Sequence, residues 1–92
     1  MYPTDCELDG LKLVCTSIAC PEQYDVFDGD TQIGYLRLRH GFFRADYPDH
    51  GGTTVYESDT RGDGMFEADE RESELRKAIA ALKKFRQAQQ SN

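Results

Sequence analysis

The chain has 92 residues, 38% apolar and 30% charged, with five Tyr, five Phe and a formal net charge of −6. That length fits one domain with one modest core, and the aromatic and aliphatic content is too high for a disordered chain. No apolar run approaches the ~20 residues that span a bilayer, and the acidic balance opposes non-specific binding to nucleic acid or to anionic membrane.

The start, MYPTDCELDG, lacks the basic and apolar regions of a secretory signal, so a cytoplasmic location is expected. Residues 1–92 are expected to form a single domain with flexible ends at 1–10 and 87–92. Leu11 to Ala19 is apolar and β-branched and predicts a strand, ended by Cys20-Pro21. Tyr24 to Phe27 predicts a second strand, and Asp28-Gly29-Asp30 a hairpin turn. Gln32 to Arg39 predicts a third strand with alternating order. Gly34, Leu36 and Leu38 point one way; Ile33, Tyr35, Arg37 and Arg39 point the other. His40-Gly41 turns the chain into a fourth strand, Phe42 to Tyr47, and Thr53 to Glu57 predicts a short fifth.

A single long helix closes the pattern. Leu75, Ala78, Ile79, Leu82 and Phe85 recur at spacings of three and four and predict one buried stripe. Acids gather toward its start and Lys83, Lys84 and Arg86 toward its end, which complements the helix dipole. The predicted fold class is therefore α+β: an antiparallel meander of four to five strands packed against one C-terminal helix.

Residues 59–70, DTRGDGMFEADE, follow most of a calcium-loop pattern. Asp59, Asp63, Gly64 and Glu70 fall on positions 1, 5, 6 and 12, and Glu67 on the ninth. Arg61 breaks the third position by replacing an oxygen ligand with a cation, and a strand rather than a helix is expected before the loop. The competing reading is a sheet-to-helix joint in which Met65-Phe66 anchor the chain in the core and the carboxylates serve the helix dipole. Arg61-Gly62-Asp63 also spells an integrin-type tripeptide, which arises readily by chance.

The second candidate is a basic strand pair. Tyr35, Arg37 and Arg39 share a strand face, His40 lies at the turn, and Arg44 lies on the next strand. Guanidinium forks suit phosphate or carboxylate, and aromatics suit a base, so a nucleotide or other small anion is one expected ligand. The alternative is that these arginines pair with nearby acids such as Asp25 or Asp46, given seventeen acids in the chain. The third candidate is an acidic face of Asp46, Asp49, Glu57, Asp59, Asp63, Glu67 and Glu70, suited to a basic partner or simply to solubility.

Cys15, Cys20, His40 and His50 lack the close pairing of zinc ligands, and three cysteines do not make a disulfide framework. Glycine-rich phosphate loops, G-x-S-x-G and H-E-x-x-H are absent from the sequence. The expected function is a small non-enzymatic binding protein with a protein partner, acting through its acidic surface or its exposed sheet face. A small anionic ligand is the alternative, and calcium at Asp59, Asp63, Glu67 and Glu70 a third. No direct binding to nucleic acid or membrane and no other cofactor are expected.

Across CPEQYDVF, GYLRLRHGFFRADYP, GGTTVYE and GDGMFEADERE, the chain resembles small uncharacterised bacterial proteins, some from phage or other mobile elements. The resemblance spans residues 20–82. It implies an accessory protein that binds a host component, with inhibition of a host system as one expected role; it implies no catalytic or binding residues.

Overall fold

Tight turns set the topology. Asp9-Gly10 (φ 52° and 84°) and His40-Gly41 (φ 54° and 72°) each place two consecutive residues in the left-handed region, as two-residue hairpin loops of the primed type require. The computed structural model describes residues 5–17 and 21–90. Its strands are β1 (Cys6–Leu8), β2 (Leu11–Ser17), β3 (Glu22–Asp28), β4 (Thr31–Arg39), β5 (Phe42–Tyr47) and β6 (Thr53–Asp59), followed by helix α1 (Ala68–Gln90). The strands form one sheet in chain order, every neighbouring pair antiparallel. The fold is the expected antiparallel meander against a C-terminal helix, with six strands in place of four to five.

The additional strand is β1. Within the stretch expected as a flexible end, Cys6 and Leu8 pair with Leu13 and Leu11 across the Asp9-Gly10 turn. The helix also continues through Gln90, into the 87–92 stretch expected as a flexible tail. Lys83, Lys84 and Arg86 consequently lie before its last turn, which contains no basic residue, so the expected match to the dipole holds only at the start, with Asp69 and Glu70. Expectations for residues 1–4, 18–20 and 91–92, including Cys20 and the end of the first predicted strand, lie outside the described residues.

One sheet face and the helix stripe make the core. Leu11, Leu13, Tyr24, Val26, Leu36, Leu38, Phe43 and Ala45 from the sheet meet Leu75, Ala78, Ile79 and Leu82 from α1, all buried. Phe85 is half-buried and packs edge-on against Tyr47, ring centroids 5.1 Å apart. Gly34 admits the helix to the sheet: a Cβ there would stand 2.5 Å from Leu82 Cδ1. Ile33 departs from the expected alternation and joins this core. A bulge between Val26 and Phe27 pairs Val26 with Gly34 and Phe27 with Gln32, which leaves Ile33 as the extra residue.

A buried carboxylate fastens the joint between sheet and helix. Glu22, 1% exposed, accepts from Tyr24 Oη (2.5 Å), Phe66 N (3.0 Å) and Arg71 Nε (2.9 Å). Its own N–H donates to Gly64 O at 2.7 Å. Phe66 is thereby seated in the core as expected, edge-on to Phe43 at 4.8 Å, whereas Met65 is only half-buried.

Candidate functional site

The face of the sheet away from α1 carries the predicted basic residues. Direct cross-strand pairs share a face, so Arg37 stands opposite Arg44 and Arg39 opposite Phe42. Tyr35 stands opposite Asp46 in the same row. Phe42 is 40% exposed and is the one exposed large hydrophobic side chain among the described residues. Arg37, Arg39, His40, Phe42 and Arg44 line an open depression of about 200 Å³. A second depression, about 390 Å³, shares Arg37, Arg39 and His40 and reaches Pro21, Asp63 and Gly64. Thus the structure brings together Arg37, Arg39, His40 and Arg44. It sets Tyr35 beside them in the sheet rather than in the wall of either depression.

The expected neutralisation by nearby acids is only partly realised. Arg44 Nε lies 3.4 Å from Asp46 Oδ2, and Asp46 is itself buried and accepts from Thr54 Oγ1 at 2.8 Å. Arg37 and Arg39 have no carboxylate within ion-pair distance among the described residues. The other four arginines, Arg61, Arg71, Arg76 and Arg86, are all paired. The Nε atoms of Arg37 and Arg44 are buried with no hydrogen-bond acceptor, an uncommon state for a charged donor. Glu57, opposite Arg44 on β6, makes no ion pair with it.

Tyr35 is held by its neighbours. Its hydroxyl donates to Gln23 Oε1, and its ring meets His50 edge-on at 5.0 Å. Burial pushes this hydroxyl's pKa up, while the charges of Arg37 and Arg44 pull the other way. Burial also raises the Asp25 carboxyl, opposite Tyr35 on β3, against a lowering hydrogen bond from Gln32.

The carboxylates of residues 59–70 have separate tasks. Glu70 accepts from Arg61 N (3.0 Å), Gly62 N (2.8 Å) and Glu67 N (2.9 Å). With Glu67 at the N-cap, Glu70 occupies the position whose side chain reaches back to the cap N–H. Burial opposes this carboxylate's charge, but the N–H groups of Glu67, Arg61 and Gly62, with the Arg61 cation, outweigh it and hold its pKa below the ordinary range. Arg61 also pairs with Asp69 at 2.5 Å; that hydrogen bond is the main cause of a lowered Asp69 pKa.

Asp59, Asp63 and Glu67 remain exposed. No group of three or more His, Cys, Asp or Glu side chains able to hold a metal occurs among the described residues. Of the calcium-loop carboxylates, Glu70 is engaged by three backbone N–H groups at the helix start. Arg61 and the turn take the third position and the twelfth for the helix cap.

The tripeptide Arg61-Gly62-Asp63 is likewise built into the joint. Gly62 is buried, and a Cβ there would overlap the Met65 carbonyl. The Asp63 carbonyl accepts from Gly41 N at 2.7 Å. Cys15 is half-buried, with its Sγ donating to Ser17 O at 2.9 Å, and His50 lies against Tyr35.

Three participants escaped the sequence reading. Phe42 shares the parity of Arg44 along β5, and that alternation alone places it on the arginine face. Glu22 and Arg71 are 49 residues apart, and no local pattern joins them.

Comparison with protein-family models, with curated proteins and with solved structures gives no match. Among the described residues, no helix is long and apolar enough to cross a membrane.

Proposed function

We propose that this chain is a non-enzymatic binding module whose recognition surface is the open sheet face at β4 and β5, and that it captures a partner through an anionic group. One observation carries the reading. In a chain with seventeen acids, where every arginine outside this face is paired, Arg37 and Arg39 have no counter-charge among the described residues. Guanidinium groups beside an exposed aromatic also have the composition of binding hot spots. Asp59, opposite Phe42 on β6, and Asp63, in the wall of the larger depression, border this face, while Glu70 is committed to the helix cap. In the setting of a phage or mobile-element accessory protein, the captured molecule would be a host component.

The test is affinity capture from a bacterial lysate by the native chain and by an Arg37→Glu/Arg39→Glu variant, with mass spectrometry of bound proteins and small molecules. An anionic partner enriched on the native chain and lost from the variant is the expected result. Identical profiles on both would count against the reading.

A further inference from the structure

We infer that the arginine depression takes a small phosphate monoester carried on a planar ring, of which a nucleoside monophosphate is the simplest case. This rests on the anion-capture reading above and names the class of anion.

The first reason is the number and placement of donors. Arg37 and Arg44 are direct cross-strand neighbours, and Arg39 and His40 continue the same wall. One fork satisfies the two coplanar oxygens of a carboxylate. A phosphate monoester presents three oxygens and about −1.5 to −2 charge at neutral pH, so it can engage two forks at once. The Nε atoms of Arg37 and Arg44 make no hydrogen bond, although Asp46 stands 3.4 Å from that of Arg44, and Arg37 and Arg39 have no carboxylate within ion-pair distance among the described residues.

The second reason is the acidic frame, which limits the length of the anion. On β6, Glu57 stands opposite Arg44 and Asp59 opposite Phe42. Asp63 stands in the wall of the second depression. A polyanion such as an acidic peptide or a nucleic-acid strand would meet these carboxylates within a residue or two of the arginines. A compact anion fits between them.

The third reason is Phe42. It is exposed, stands opposite Arg39, and adjoins the place where the anion would sit. An aromatic face takes any planar base by stacking, and an adjacent guanidinium can add to it. The adjoining depression of about 390 Å³ lies within the range of about 300–1,000 Å³ typical of small-ligand sites.

Calorimetric titration of the full chain tests this. The probes are adenosine, guanosine, cytidine and uridine monophosphate, adenosine without phosphate, inorganic phosphate, and hexaglutamate. At least one monophosphate is expected to bind about tenfold or more tightly than inorganic phosphate, with no measurable binding of adenosine alone. Arg37→Lys keeps the charge and removes the fork, and is expected to weaken that monophosphate about tenfold. Phe42→Ala, at an exposed position that leaves the core intact, is expected to erase the advantage over inorganic phosphate. A monophosphate affinity no better than that of inorganic phosphate, or one unaltered by both variants, would overturn the inference. Binding of hexaglutamate alone would overturn it and leave the anion-capture reading standing. Binding of none of the probes would likewise overturn the inference, and the lysate capture with the Arg37→Glu/Arg39→Glu variant would then decide the anion-capture reading by itself.

Discussion

Glu22 and Arg71 are the residues on which the joint between sheet and helix turns. A carboxylate 1% exposed is tolerable only because every neighbour supplies a donor: Tyr24 Oη, Phe66 N and the Arg71 guanidinium. The same burial and the Glu22 hydrogen bond push the Tyr24 hydroxyl far above its ordinary pKa. Removing one partner of such a pair strands the other, at a cost of about 3–5 kcal/mol. Urea denaturation of Glu22→Ala is therefore expected to show a loss of that size. A joint Glu22→Leu/Arg71→Met change, which strands no charge, is expected to lose much less. Equal losses from the two would show that the pair matters through packing alone.

At the scale of elements, the segment from Arg61 to Glu70 shows what spacing alone conveys. Its carboxylates and glycines are placed as a metal loop would place them, yet Glu70 closes the helix start through three backbone N–H groups. Its depressed pKa gives that cap a pH signature. A carboxyl held below its ordinary 4.5 contributes stability that is fully present above about pH 4.5 and is lost as pH falls through the lower folded value. Glu70→Gln is expected to cost about 1–2 kcal/mol at neutral pH, the range of a strong helix cap. It is also expected to flatten the acid limb of stability below pH 4.5. An unaltered acid limb would argue that the cap forms equally well with a neutral side chain.

The strands were legible where alternation and turn residues agree. The β4–β5 hairpin, with its His40-Gly41 turn, has the boundaries expected at Arg39 and Phe42. Two elements were not legible, for separate physical reasons. β1 is three residues long, too short for a period, although Asp9-Gly10 between CEL and LKL is a hairpin signal in its own right. The bulge that turns Ile33 into the core depends on the pairing of β3 with β4, which single-strand alternation does not contain.

At the scale of the whole molecule, most arginines are spent on holding the helix to the sheet and its turns. Arg76 and Arg86 tie α1 to the strand turns at Asp9 and Asp28, 2.5 and 2.6 Å away, and Arg71 ties its start to Glu22. The two arginines without an ion pair among the described residues, Arg37 and Arg39, lie on the opposite side of the sheet. The sequence placed these arginines on one face by parity alone. It did not show that they escape pairing, because that depends on distances to Asp25, Asp46 and Glu57 across three strands.

The measurement closest to the central claim is an amide ¹H–¹⁵N NMR titration of the full chain with a nucleoside monophosphate. Progressive shifts confined to Arg37 through Arg44, with Gly64 beside the shared depression, are predicted. Shifts centred on Asp59 to Glu70 without the β4–β5 hairpin, or none at millimolar ligand, would contradict it.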